Sequence, residues 1–370
     1  MKRLSIIFVV LLAAGSIAFA RGIFERQKSS QYFIGLDTKT VTNAWEGYFQ
    51  DSFEWFSQDH HWKYVADEAN GDPAAQITQC RQMINSGVKG LIVAAQDANA
   101  AKPIVDFANA KGIPVFTADA DINSPNVKMY VGFSGERAGQ ELTRHLVDYL
   151  KAKYHGKVRG TVLEMMGPLG GASSIDRSRG FHDVIDQYRG VRVIQAVGDF
   201  QEAPGKTAAL NVLRAHPRID ACYSANGPMA VGAVEAMKDL NIDPAKVYTV
   251  TIDATPSVLP LIKSGEIQMA LDQAPGFYTA IAEHYLVAYL KKGDAGLPKV
   301  GTTVTASDLN LSTGVEHAGV HVWADNSAWA PAKITEDLGH LWFQTGAVLV
   351  TKDNADSPTL WANIKLPPKA

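Results

Sequence analysis

The sequence predicts an α/β protein made of two lobes, each built on a parallel sheet, joined by a multi-strand hinge with a ligand cleft between them. Three observations carry this expectation. Short apolar runs rich in Val, Ile and aromatic residues alternate with helical segments almost without interruption. The alternation runs through two consecutive series of similar length. The 370-residue chain, even shortened by an N-terminal export segment, is longer than one hydrophobic core usually organises.

The first series has strands at 32–36, 63–66, 90–94, 114–117 and 129–133, with helices around 44–57, 73–86 and 99–111. Pro73 suits a first helical turn with Asp72 as its cap, and Gly87 and Gly112 suit helix ends. The second series has strands at 159–165, 192–197, 221–224, 247–252 and 268–271, with helices near 175–188, 203–216, 228–240 and 275–291. Strands alternating with helices imply Rossmann-like lobes whose parallel sheets are covered on both faces, and in such sheets ligands bind at the carboxyl ends of the strands.

The expected organisation is a signal peptide at 1–20, an N-terminal lobe from 31–134 plus 274–300, and a C-terminal lobe from 135–273 plus 346–355. Residues 301–345 read as an insertion rich in Trp, carrying Trp323, Trp329 and Trp342, whose aromatics pin an extra element onto a lobe; 356–370 is a tail. At the start, Lys2 and Arg3 precede an apolar stretch at 4–14 and an Ala18-Phe19-Ala20 cleavage pattern, the anatomy of a secretory signal. That stretch is shorter than the ~20 residues a bilayer span needs, and the functional part is expected outside the cytoplasm.

The net charge of −3 gives no electrostatic case for nucleic acid or an anionic membrane. Cys80 and Cys222, the only cysteines, fall in a helix of one half and a strand of the other, so two buried thiols are expected rather than a disulfide. Several enzyme-like fragments are discounted. Pro204-Gly-Lys-Thr207 ends like a phosphate loop, but Phe200 stands where its first Gly is required. His60-His61 lack the i, i+4 spacing of a helical metal pair, and Asp119-x-Asp121 is weak for a metal. No catalysis, metal or cofactor is expected.

What stands out is a set of polar and aromatic residues at the ends of predicted strands: Asn43, Trp45, Asp119, Arg177, Phe200, Asn226, Asp253 and Gln273. Each has an ordinary alternative use: Asp253 could cap a helix, Arg177 could serve a surface ion pair, and Trp45 could be core. Their convergence around one cleft, if the fold is right, favours a ligand site.

These residues lie in stretches that match a known family in order and spacing: Ile34-Gly-Leu-Asp-Thr through Asn43-Ala-Trp45, Gly112-Ile-Pro-Val-Phe-Thr-Ala-Asp119, Asp176-Arg177-Ser-Arg-Gly-Phe181, Gly198-Asp-Phe200, Ala225-Asn226-Gly-Pro-Met, Ile252-Asp253-Ala-Thr-Pro256 and Asp272-Gln273. Over roughly residues 32–300 the chain resembles the periplasmic sugar-binding proteins of the ribose-binding type. The stretch Gly346-Ala-Val-Leu-Val-Thr-Lys-Asp-Asn354 resembles the last strand of that family.

The resemblance implies a periplasmic receptor that delivers a sugar or polyol to the membrane permease of an ABC importer. A chemotaxis or quorum-signal receptor for a furanosyl signal, docking to a chemoreceptor, is the alternative use of the same cleft. A repressor of the same fold would need an N-terminal helix-turn-helix where the signal segment stands. Asp119 and Asp253 would accept from sugar hydroxyls, Arg177 would donate, Asn43, Asn226 and Gln273 could do either, and Trp45 and Phe200 would sandwich the ring. Hydrogen bonds to charged groups contribute about 1.5–3 kcal/mol each, against about 8 kcal/mol for micromolar binding. The chain departs from ribose binders at Ala120, Ser134-Gly135 and Gly227, where an Arg, an Asp-Asn and an Asp are common, so the hydroxyl pattern it satisfies differs.

Overall fold

The computed structural model describes residues 31–42 and 44–364. The signal segment and Asn43 lie outside the described residues. The first strands and helices follow the sequence pattern closely: β1 (Phe33–Thr38), α1 (Ala44–Asp59), β2 (Lys63–Glu68), α2 (Pro73–Ser86), β3 (Gly90–Val93), α3 (Lys102–Asn109), β4 (Val115–Ala118) and β5 (Met129–Gly132). Asp72 caps α2 by accepting from the Ala74 N–H, and Gly87 ends it in the left-handed conformation. β3 and β4 are buried along their whole length, as strands covered on both faces must be.

The second series contains α4 (Gly135–Lys153), β6 (Arg159–Met166), α5 (Ala172–Ile185), β7 (Gly190–Val197), α6 (Glu202–Ala215), β8 (Ala221–Ser224), α7 (Gly227–Asp239), β9 (Tyr248–Ile252), α8 (Leu259–Ser264), β10 (Met269–Asp272) and α9 (Pro275–Lys292). The helix α4 was not among the expected ones, although its signals are in the chain. Ser134 caps it by accepting from the Arg137 N–H, and Leu142, Leu146, Val147 and Leu150 form its buried stripe.

β11 (Thr303–Val304), β12 (Ala332–Asp337) and β13 (His340–Gln344) come from the Trp-rich region, and β14 (Val348–Val350) follows. Among the described residues, one sheet runs β11-β12-β13-β5-β4-β3-β1-β2 and the other β14-β10-β9-β8-β6-β7. Their parallel parts repeat one plan: 2-1-3-4-5 in the first lobe and 7-6-8-9-10 in the second. The chain passes between the sheets after β5, after β10 and after β13, which is the multi-strand hinge.

The 301–345 region therefore lengthens the first sheet. β12 and β13 form a hairpin whose turn residues, Leu338 and Gly339, both have positive φ, the form that matches strand twist. β13 then lies parallel to β5. Trp323 and Trp329 are buried, and the Trp342 indole N–H donates to the Gly132 carbonyl at 3.0 Å. Cys80 and Cys222 are free and buried. No helix among the described residues is long and apolar enough to cross a membrane.

Candidate functional site

The two lobes place an aspartate at equivalent points. Asp119 follows β4 and Asp253 follows β9, each the fourth strand of its lobe. Both have left-handed backbones, φ 64° and 68°. Their N–H groups donate to matching carbonyls of the fifth strand, Val131 and Leu271, each at 3.0 Å. A non-glycine residue pays a steric penalty there, and such positions cluster at ligand sites.

Asp253 is the centre of the second-lobe wall. Its Oδ1 accepts from Gln273 Nε2 at 2.6 Å, and its Oδ2 lies 3.4 Å from Arg177 Nη1. Arg177 Nη1 also donates to the Ala225 carbonyl at 2.7 Å. The guanidinium stands 5.5 Å from the ring centres of both Phe133 and Phe200. Burial raises Asp253 above the usual carboxylate range against the pull of Arg177, and the charge of Asp119 adds to the rise. Arg177 Nε is buried without a hydrogen-bond partner, a donor suited to a ligand oxygen.

Local packing explains why Arg177 sits there. α4 and α5 approach so closely that a side chain at Gly139 would strike the Arg177 carbonyl and one at Gly180 the Glu136 carbonyl. Phe200 is aimed by two consecutive left-handed residues, Asp199 and Phe200, and a Cβ at Gly167 would collide with its ring. Asn226 caps α7, accepting from the Met229 N–H, while its amide donates to the Phe200 carbonyl at 2.9 Å. It steadies Phe200 as well as facing the same region.

On the first lobe, Asp119 Oδ2 lies 2.5 Å from Lys39 Nζ, and its carbonyl accepts from the Tyr130 hydroxyl at 2.9 Å. Trp45 is buried and stacked on Phe49, with ring centres 5.6 Å apart, and meets Tyr278 edge-on. Tyr278 in turn donates to Gln273 Oε1 at 3.0 Å. A continuous set of contacts thus links Trp45, Tyr278, Gln273, Asp253, Arg177, Phe200 and Asn226, and Asp119 joins electrostatically from across the cleft. Sequence reasoning missed Lys39, Glu46, Tyr130, Phe133 and Tyr278. Of these, Glu46 directly follows the quoted Asn43-Ala-Trp45 stretch and Lys39 lies in the loop before it, but nothing local in the sequence ties either charge to Asp119.

A cavity of about 210 Å³ lies at the hinge crossing after β10, lined by Tyr48, Asp272, Gln273, Phe277 and Trp361 among others. There the Trp361 indole N–H donates to Asp272 Oδ1 at 3.2 Å, and that same oxygen accepts from the Ala254 N–H. The C-terminal segment therefore buttresses the strand ends that carry Asp253 and Gln273.

Known proteins agree with this architecture. A family described as the periplasmic binding protein domain matches residues 34–294. The chain is similar to the ribose import binding protein RbsB of Bacillus subtilis (strain 168), 28% identical over 245 residues, covering 66% of this chain and 77% of that one. It is similar to the galactofuranose-binding protein YtfQ of Escherichia coli (strain K12), 28% identical over 64% of this chain and 74% of that one. A crystal structure of a galactofuranose binding protein superposes with a TM-score of 0.70 at 20% identity, covering 88% of this chain and 96% of the other.

Proposed function

The chain belongs to the periplasmic binding protein domain family, and we propose that it is a periplasmic solute-binding protein that captures a monosaccharide or sugar-like molecule between its lobes and delivers it to an ABC-type importer. The observation that carries this reading is the pair of matched aspartates, Asp119 and Asp253, one at the fourth-strand end of each lobe, each with its own cation. Carboxylates that accept from hydroxyls, amide and guanidinium donors, and flat rings are the complement of a polyhydroxylated ring.

In this reading Asp119, Trp45 and Asn43 serve from the first lobe and Arg177, Phe200, Asn226, Asp253 and Gln273 from the second lobe and hinge. A ligand that touches both walls stabilises the closed arrangement, and the closed form is what the membrane permease recognises. The relatives' names, a ribose import binding protein and a galactofuranose-binding protein, support a sugar ligand and an importer as partner, and the description of the family supports the periplasm as compartment.

The test is a thermal-shift screen of the protein lacking residues 1–20 against pentoses, hexoses, furanosyl sugars and polyols. A ligand at a hundredfold excess over its Kd stabilises by about 2.7 kcal/mol, a shift of several degrees. Silence from the folded protein across the whole panel contradicts the proposal.

A further inference from the structure

The cavity of about 210 Å³ at the hinge crossing is distinct from the cleft: Asp119, Arg177, Phe200, Asn226 and Asp253 do not line it, and among the described cleft residues Gln273 alone is shared. Successive residues of an extended chain point to opposite faces, and the end of β10 divides in that way. Gln273 reaches Asp253 in the cleft at 2.6 Å, whereas Asp272 lines the cavity and holds Trp361. The other walls come from both sides of the hinge. Tyr48 and Phe277 belong to helices of the first lobe, Asp272 and Val348 pair across β10 and β14 of the second sheet, and the Trp361 ring of the C-terminal segment stands 5.6 Å from that of Tyr48.

Two buried polar groups on these walls are unsatisfied. Asp272 is 4% exposed; its Oδ1 accepts from the Ala254 N–H and the Trp361 indole, while its Oδ2 has no partner among the described residues. Tyr48 is 2% exposed, and its hydroxyl makes no hydrogen bond among the described residues. Buried polar groups are rarely left so. At the rim, by contrast, Ser357 and Thr359 pair with each other at 2.8 Å, and the Asn354 amide is taken up by the Thr351 N–H and the Leu349 carbonyl.

Size and chemistry together define an occupant. A cavity of about 150 Å³ accepts one benzene-sized ring, so this one has room for a single ring with a substituent. Aromatic and aliphatic side chains form most of the wall, which suits an apolar ring and would strand the many hydroxyls of a polyol. Burial raises Asp272 well above the usual carboxylate range against the pull of the Ala254 N–H. A carboxyl held neutral beside the Tyr48 hydroxyl offers donors and acceptors to one hydroxyl and no counter-charge to an ion.

We propose that this cavity is a second ligand site, taking a small neutral molecule of one ring and one hydroxyl, of which phenol is the simplest, and that its occupant biases the hinge. The site stands independently of what the cleft binds. A molecule touching walls on both sides of the hinge favours one arrangement of the lobes, and so alters affinity at the cleft.

Calorimetry and saturation-transfer NMR with phenol, toluene and benzoate test it, on the wild type and on Tyr48→Phe, Ala328→Phe and Asp119→Asn. Phenol is expected to bind at one site per chain, at least tenfold tighter than toluene or benzoate. Tyr48→Phe should narrow the phenol-to-toluene ratio at least threefold, which a purely structural role of Tyr48 would not do. Ala328→Phe, on the cavity wall, should abolish phenol binding, and Asp119→Asn, in the cleft, should leave it within twofold. Circular dichroism confirms that each variant is folded. Saturating phenol should shift the Kd of the sugar found by the thermal-shift screen at least threefold. Failure of phenol to bind the folded wild type, phenol no tighter than toluene, or phenol binding lost in Asp119→Asn and kept in Ala328→Phe overturns the site and leaves the sugar-binding reading standing. A sugar Kd indifferent to bound phenol overturns the hinge bias.

Discussion

The two lobes follow one plan and solve one problem differently. Each sets a left-handed aspartate after its fourth strand, fixed by the carbonyl of its fifth strand, and each pairs that aspartate with a cation from the element that follows its first strand. In the second lobe the cation is Arg177, buried between two rings and tied to a backbone carbonyl. In the first lobe it is Lys39, partly exposed and held by the carboxylates Asp119 and Glu46. The difference separates a rigid wall from an adjustable one. A guanidinium locked by stacking loses little freedom on binding, whereas an ammonium on a flexible stem can rearrange around the hydroxyls it meets.

The largest break in this comparison is Arg177→Met. Removing one partner of a buried ion pair costs about 3–5 kcal/mol and should abolish sugar binding by about a hundredfold or more; urea denaturation and calorimetry read the two effects. Next is the region in which the lobes differ most, the added strands of the first sheet. Trp329→Ala should lower stability by about 3–5 kcal/mol with ligand affinity unchanged in the folded protein, because Trp329 packs on Phe277 and Phe343 rather than on the cleft residues. Affinity that falls with it would place this region in the site.

A smaller effect sharpens the contrast between walls. Asp119→Asn should weaken binding by about ten- to a hundredfold with little change in the urea midpoint, since Lys39 keeps Glu46 as its partner. A stability loss equal to that of Arg177→Met would erase the distinction.

The last contrast is a difference in pH response. Burial raises Asp37 of the first lobe from 3.8 to about 7, with Gln76 opposing and Asp67 adding. The folded state then holds a proton that the unfolded chain releases, so stability is full below pH 4 and falls as pH rises towards 7. In the second lobe His182 is raised from 6.5 to about 9 by its hydrogen bond to Glu164, against its burial and with help from Asp186. Its contribution is full below pH 6.5 and is lost as pH rises through 9. Asp37→Asn should flatten the first decline and His182→Gln the second, each measured as the urea midpoint against pH.

Much of this architecture was legible because buried parallel strands are short, continuous apolar runs and their helices carry explicit caps, as at Asp72 and Gly87. The aspartates were legible for the same reason: a charge immediately after such a run marks a strand end. Lys39 and Glu46 were not, because their meaning depends on the loop after β1 lying beside the loop after β4, and Lys39 and Asp119 are 80 positions apart in the chain. The hairpin of β12 and β13 was hidden because its turn is Leu338-Gly339, with Leu where such turns favour Asn, Asp or Gly. The long α4 begins at the lobe boundary, with its Ser134 cap and its apolar period both present in the chain.

The central claim is that one ligand is gripped by both walls at once. Calorimetry of the best neutral sugar on the wild type, Asp119→Asn and Asp253→Asn tests it most directly. The account predicts one site per chain and a loss of at least about tenfold in each variant. Binding that ignores either substitution in a folded protein would contradict it.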